Sequence, residues 1–129
     1  MGWVTNYPEK FEEFWIKVMG FKKIWESKLS PELCKELFDI NYGATCRRYQ
    51  KDDVVIEVHI FDKMVSKNSP VFNHYGLNHI CLLVDDREKF IEQMEKEGIE
   101  TKIYNNPKGH QNVFVRDFEG NWVEIYKIL

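Results

Sequence analysis

The sequence has few cysteines, few prolines and no long apolar run. Its three cysteines, Cys34, Cys46 and Cys81, are an odd number without a C-x-x-C spacing. This argues against a disulfide framework and against an all-cysteine zinc site, and it predicts a protein of the reducing cytoplasm. No apolar stretch approaches the roughly 18–20 residues that span a bilayer, and the N-terminus lacks the pattern of a signal peptide. We therefore expect no membrane partner.

The sequence also lacks an excess of charge of one sign. Eighteen Lys and Arg residues stand against 21 Asp and Glu residues, which gives a formal net charge of −3. Both signs are spread along the chain, so no basic surface for nucleic acid is predicted. A length of 129 residues with 43% hydrophobic residues predicts one domain with a core of its own.

Apolar residues at helical spacing predict the first clear element of the chain. This helix begins near Pro8, with Asn6 as its cap, and ends at Gly20. The elements predicted after it are a strand over 21–26, a helix that Ser30 caps and that ends at Phe38, and strands over 44–49 and 54–61.

The second half of the chain is predicted to follow the same plan. Residues 62–76 are polar, contain Pro70 and are interpreted as a linker. After it, the pattern predicts a strand over 77–84, a helix that Asp85 or Asp86 caps and that ends at Gly98, and strands over 99–104, 112–116 and 122–128.

Aligning the halves reveals an internal repeat. The Glu-Lys-Phe of residues 9–11 recurs at 88–90, and Val55–Val58 corresponds to Trp122–Ile125. The predicted fold is therefore α+β, with two βαβββ modules in a single domain of residues 1–129. Module one covers about 1–61 and module two covers 77–129. The first strand of module one is short, at about Trp3–Thr5, or missing.

Strand alternation places the residues that could bind a metal on one face of the predicted sheet. Glu57 and Glu124 occupy equivalent positions of the repeat, so symmetric modules would bring them to a shared cleft that His79 could join. An imidazole with two carboxylates suits Zn, Ni, Mn or Fe. The alternative is an ordinary solvated face. The opposite face is aliphatic and is expected to pack against the helices: Ile56, Val58, Ile60, Ile80, Leu82, Val84, Val123 and Ile125.

Three segments resemble a known family. Residues 14–21, Phe-Trp-Ile-Lys-Val-Met-Gly-Phe, are similar to the F-Y-x-x-V-L-G-F run of the vicinal oxygen chelate superfamily. Asn78-His79-Ile80 resembles the start of its second module, and residues 117–125 resemble its closing D-P-D/E-G-N-x-I-E-L motif. The superfamily includes glyoxalase I, bleomycin-resistance proteins and extradiol dioxygenases, so the resemblance does not specify one activity.

The resemblance implies a fold of paired βαβββ modules that enclose a divalent metal. Carried over residue by residue, Glu57, His79 and Glu124 match three ligand positions. The fourth position, on the first strand, has no counterpart here. His59, two residues after Glu57, is the nearest substitute. The metal implied is Ni, Zn, Mn or Fe.

Three functions are compatible with this resemblance. The first is a glyoxalase I-like lyase or isomerase that acts on a small substrate with vicinal oxygens, with Glu124 or Glu57 moving the proton. The second is a metal-free protein that sequesters a small molecule, similar to bleomycin-resistance proteins. The third is an iron(II) dioxygenase that uses His59 or His74 together with His79 and Glu124.

The residues expected to line a substrate pocket lie beside these ligands. They are Trp122, Tyr126 and Cys81, although packing is the alternative role for each. Arg47 and Arg48 are expected to pair with acidic residues on a neighbouring strand, and binding of an anionic substrate is the alternative role. A short first strand leaves a sheet edge open, and the family implies a dimer, so we expect a homodimer.

Overall fold

The computed structural model describes residues 1–67, 73 and 76–127. These residues form two four-stranded sheets with helices. The chain divides into two compact units, Met1–Lys67 and Asn68–Leu129, and each unit contains one sheet.

The first unit contains four strands and two helical segments. In chain order these are β1 (Gly2–Val4), α1 (Pro8–Glu12), which continues as a π-helical segment (Glu13–Val18), β2 (Lys22–Leu29), α2 (Pro31–Phe38), β3 (Ala44–Lys51) and β4 (Val54–Phe61).

The second unit contains four strands and one helix among its described residues. These are β5 (Ile80–Val84), α3 (Arg87–Lys96), β6 (Thr101–Asn105), β7 (Gln111–Arg116) and β8 (Trp122–Lys127).

The two sheets have the same topology. Their strand orders are β1-β4-β3-β2 and β5-β8-β7-β6. In each sheet the first and last strands of the unit pair in parallel, and the other neighbours are antiparallel. This confirms the α+β fold of two βαβββ modules. The first strand of module one is present but has only three residues, Gly2–Val4.

The first helix differs from its prediction at both ends. Tyr7 takes the cap position without a side-chain hydrogen bond, so the prediction of Asn6 as the cap is wrong. The Asn6 side chain instead bonds the backbone of Val65. The helix ends as a π-helix, whose turn is wider than an α-turn. This arrangement buries the consecutive residues Phe14 and Trp15 together in the core.

An aromatic cluster forms the core of the first unit. Trp3 of β1 and Phe11 of α1 both pack on Trp15, with ring centroids 5.6 and 5.9 Å away. Phe11 also packs on Tyr49 of β3 at 5.1 Å. The helix therefore covers the predicted aliphatic face of this sheet, where Ile56 and Val58 are fully buried.

The core of the second unit is aliphatic, as predicted. Ile91 and Met94 of α3 are buried, and α3 contacts β6 and β8. Val123 and Ile125 of β8 are fully buried. The remaining members of the predicted face, Ile60, Ile80, Leu82 and Val84, are half-buried.

Several predicted boundaries move by a few residues. The strand predicted over 77–84 begins at Ile80, so His79 precedes it. Ser30 and Asp86 cap their helices as predicted. Part of the predicted linker, together with His74, lies outside the described residues, and so does Ile128. Of the helices just described, none is long and apolar enough to cross a membrane.

Candidate functional site

An imidazole and a buried carboxylate meet on the sheet of the second unit. The Nε2 atom of His79 lies 3.2 Å from the Oε2 atom of Glu124. His79 immediately precedes β5, and Glu124 lies on β8, where only 7% of it is exposed. Because β5 and β8 pair in parallel, with Cys81 opposite Glu124, both side chains lie on the same face of the sheet. The structure thus brings together two of the three predicted metal ligands.

Two neighbours orient the imidazole. The Nδ1 atom of His79 lies 2.9 Å from the Oδ1 atom of Asn78. The ring of Phe114, which is opposite Glu124 on β7, packs against the imidazole with centroids 5.1 Å apart. With Nδ1 beside the amide of Asn78, the Nε2 atom is directed at Glu124.

Cys81 contacts the same carboxylate. Its Sγ atom donates a hydrogen bond to Oε2 of Glu124 at 3.3 Å. Partial burial of the thiol and its hydrogen bond to Glu124 raise the pKa of Cys81. Sequence analysis expected this cysteine in a substrate pocket and did not foresee its bond to the glutamate.

The three side chains of this cluster fit a divalent metal. The ligand atoms of His79, Cys81 and Glu124 all lie within 4.8 Å of one another. The Nε2 atom of His79 and the Oε2 atom of Glu124 face each other at 3.2 Å. Nitrogen, sulfur and carboxylate oxygen are all ligands of zinc-like metals.

Glu57, the third predicted ligand, lies in the first unit with different neighbours. Its position on β4 is opposite Gly2 and Arg48, whereas the equivalent Glu124 is opposite Cys81 and Phe114. The Nε atom of Arg48 donates to Oε2 of Glu57 at 3.0 Å, which confirms the predicted cross-strand pair. A guanidinium at this distance disfavours a second cation on the same oxygen.

The proposed substitute ligand, His59, also lies beside Glu57. Its Nε2 atom is 3.6 Å from Oε1 of Glu57, and its ring packs against Phe38 and Phe61. Cys46 completes a cluster of potential ligands within 4.8 Å. Burial, followed by the charge of Glu57, raises the pKa of Cys46.

Trp122 and Tyr126, the other predicted pocket residues, differ in their surroundings. Trp122 is buried, and the side chains of Lys102 and Arg116 lie over its ring at 4.6 and 5.1 Å. Tyr126 is exposed, and the negative charge of Glu124 raises its pKa. The cation–π contacts of Trp122 were not predicted, because the contact of Arg116 depends on the register of β7 against β8 and that of Lys102 on the pairing of β6 with β7.

An open pocket lies on the edge of the same sheet. It has a volume of about 670 Å³ and includes Phe114, which also contacts the imidazole of His79. The residues that line it are Thr101, Lys102, Ile103, Tyr104, Asn112 and Phe114. Sequence analysis missed these residues, although alternation along β7 would have placed Asn112 and Phe114 on the face of Glu124.

Solved structures with the same fold include glyoxalases and an antibiotic-resistance protein. A glyoxalase family protein from Bacillus cereus is 13% identical, with a TM-score of 0.78, and the alignment covers 98% of this chain and 90% of that one. The trypanothione-dependent glyoxalase I of Leishmania major is 19% identical, with a TM-score of 0.68 and coverages of 98% and 83%. A fosfomycin resistance protein from Listeria monocytogenes is 11% identical, with a TM-score of 0.64 and coverages of 100% and 90%.

Sequence comparison identifies the family directly. No curated protein matches the sequence. The family model described as glyoxalase/bleomycin resistance protein/dioxygenase superfamily matches residues 1–114. The match ends before β8, so the equivalence of Glu124 with Glu57 rests on the repeat and on strand pairing. Since the match covers most of the sequence, the chain belongs to the glyoxalase/bleomycin resistance protein/dioxygenase superfamily.

Proposed function

We propose that the protein is a divalent-metal-dependent lyase or isomerase that acts on a small substrate with two adjacent oxygens. The observation that supports this proposal is the 3.2 Å approach of the His79 imidazole to the buried carboxylate of Glu124. Asn78 orients the imidazole from its other nitrogen, which is the arrangement that metal-binding histidines generally have.

His79 and Glu124 are the proposed metal ligands. When bound, a Zn, Ni, Mn or Fe ion would act as a Lewis acid toward the substrate oxygens. Glu57 is the third ligand that the repeat predicts, and its role stays a prediction, which a Glu57→Gln variant tests by its metal content.

Glu124 is also the proposed proton carrier. Both His79 and Cys81 contact its Oε2 atom. We assign proton transfer to Oε1, because the contacts of His79 and Cys81 are both made with Oε2. Glu57, the equivalent residue of the first unit, is the alternative carrier. A carboxylate base at this position would remove a proton from the carbon next to a substrate oxygen.

The pocket beside Phe114 is the proposed site for the rest of the substrate. Its wall combines the apolar surfaces of Ile103, Tyr104 and Phe114 with the ammonium group of Lys102. Pockets of this kind bind small molecules with an apolar body and few polar groups. Trp122 and Tyr126 remain proposed pocket residues on the strand of Glu124.

Metal content tests the proposal. We expect protein purified without chelator to contain one equivalent of metal, and we expect a Glu124→Gln variant to lose it. Glu100→Gln is the matched control, since Glu100 is an exposed residue of the same unit. Solvent deuterium incorporation into α-hydroxycarbonyl compounds, followed by NMR, would report proton transfer. A protein that neither contains metal nor is stabilised by any divalent ion would overturn the proposal.

Small-molecule sequestration is the second candidate function, and the 670 Å³ pocket favours it. A sequestering protein would bind its ligand equally well with and without metal, whereas the proposed enzyme would not. We also propose a homodimer, which analytical ultracentrifugation tests directly.

A further inference from the structure

We infer that Cys81 is a further metal ligand beside His79 and Glu124, so that the second unit carries an N, S, O donor set. This inference rests on the proposed metal-dependent function. The first strand of the first unit lacks the metal ligand that the family resemblance implies. Cys81 would provide a further metal ligand within the second unit.

The fold itself places the thiol at the site. His79 and Cys81 are two residues apart along an extended chain, so both side chains point to the same face of the sheet. Cys81 is also the register partner of Glu124 in the parallel pair of β5 and β8. Backbone pairing thus places Cys81 beside Glu124, and His79 is the residue that immediately precedes β5.

The distances match those of a tetrahedral site. With zinc-ligand bonds of about 2.0–2.3 Å, a tetrahedral site separates N from O by about 3.4 Å and S from O by about 3.6 Å. The observed separations from Oε2 of Glu124 are 3.2 Å for Nε2 of His79 and 3.3 Å for Sγ of Cys81. These two separations are therefore within a few tenths of an ångström of those of a coordination site, and all three donor atoms lie within 4.8 Å of one another.

A thiolate ligand has a chemical consequence. When the metal–sulfur bond forms, the S–H bond of Cys81 breaks and its proton leaves to solvent, so no oxidation or reduction takes place. Thiolate favours Zn²⁺ and Co²⁺ over Mn²⁺ and Mg²⁺, which prefer oxygen ligands. The site should accordingly bind zinc and cobalt more tightly than manganese.

The other cysteine cluster provides an internal comparison. Cys46, Glu57 and His59 are also close enough to share an ion. There, however, Arg48 donates to the carboxylate at 3.0 Å and neutralises it. The contacts of Glu124 come from His79 and Cys81, which are themselves ligand types. We therefore assign the sulfur ligand to Cys81 and not to Cys46.

Cobalt substitution tests the inference. A cobalt-bound thiolate gives an intense sulfur-to-metal charge-transfer band in the near ultraviolet, which nitrogen and oxygen ligands do not produce. We expect this band in the Co²⁺-loaded protein and its loss in Cys81→Ser. Cys46→Ser and Cys34→Ser are matched controls that should retain it. Zinc affinity in Cys81→Ser should fall at least about tenfold, because removing even an outer partner of a metal ligand costs about 10–100-fold.

The outcomes separate the two proposals. Cobalt bound without the band, or a band that persists in Cys81→Ser, would overturn the inference while metal binding by His79 and Glu124 stands. A band lost only in Cys46→Ser would overturn it as well and would place the thiolate in the first unit. Failure to bind Co²⁺ or Zn²⁺ at all would refute the proposed function, and the inference with it.

Discussion

The Nε2 atom of His79 lies 3.2 Å from the Oε2 atom of Glu124, although 45 residues separate the two in the chain. The parallel pairing of β5 and β8, the first and last strands of the second unit, brings these two side chains together. The first unit pairs its own first and last strands in the same way, but there Gly2 lies opposite Glu57. The two units thus have the same topology, but Glu57 and Glu124 have different neighbours on the first strand of their units.

Replacing His79 with Ala should abolish metal uptake without unfolding the protein. The side chain is partly exposed and packs on Phe114, so its removal should lower the melting temperature by only a few degrees. Metal analysis and thermal denaturation by circular dichroism measure the two effects. His110→Ala, in an exposed turn, is the control. Unchanged metal content in His79→Ala would show that the ligand assignment is wrong.

Replacing Asp117 with Ala should destabilise the turn that leads into β8. Asp117 is only 6% exposed and accepts hydrogen bonds from the backbone N–H groups of Glu119 and Asn121 and from the Asn121 side chain. Removing a charged acceptor of three donors should lower the free energy of unfolding by about 2–3 kcal/mol. Urea denaturation measures the loss. Asp53→Ala, in an exposed turn, should change stability little, and equal effects in both variants would contradict the prediction.

Replacing Tyr49 with Phe should weaken the core of the first unit. Tyr49 is fully buried, and its hydroxyl donates to Oε1 of Glu12 at 2.7 Å. Loss of this bond should cost about 1–2 kcal/mol, because the acceptor is charged and partly buried. Tyr104→Phe serves as the control, since Tyr104 is 63% exposed. A Tyr49→Phe variant as stable as the wild type in urea would show that the bond contributes nothing.

Alkaline pH should destabilise the protein partly through the same tyrosine. Burial, together with the hydrogen bond to Glu12, raises the pKa of Tyr49 above its ordinary value. The unfolded chain would lose this proton near pH 10 while the folded protein retains it, so the stabilisation is complete below about pH 10 and is lost as the pH rises further. Between about pH 9 and about pH 11, the free energy of unfolding measured in urea should decrease less for Tyr49→Phe than for the wild type. Equal decreases would contradict the assignment.

The topology and the main side chains of the site could be predicted because both depend on local patterns. Alternation along β8 places Glu124 on the face opposite Val123 and Ile125, and the repeat gives Glu57 the same position on its strand. The prediction places His79 within a strand over 77–84, and in the structure it immediately precedes β5, on the face of Glu124 as expected. Predicting these features requires only the two-residue period of side chains along a strand and the number of residues between turns.

The other features of the fold and of the site depend on packing between distant parts of the sequence, which no local pattern encodes. The π-helical segment contains Phe14 and Trp15, which are consecutive and both buried, and an α-helical pattern describes that segment equally well before the core is known. Asn6 has the chemistry of a helix cap but bonds Val65, which is 59 residues away. The hydrogen bond from Cys81 to Glu124 requires the register of β5 against β8, which spacing does not determine.

The absence of a side chain at Gly2 has a consequence for how the duplicated halves have diverged. Gly2 of β1 offers no side chain to Glu57, whose partner is Arg48 of the other neighbouring strand, in an ion pair. In the sister half a cysteine fills the corresponding place, and no guanidinium is opposite. The glutamate of the first unit is thus held in an ion pair, whereas its equivalent in the second unit contacts groups that can themselves lose a proton or bind a metal.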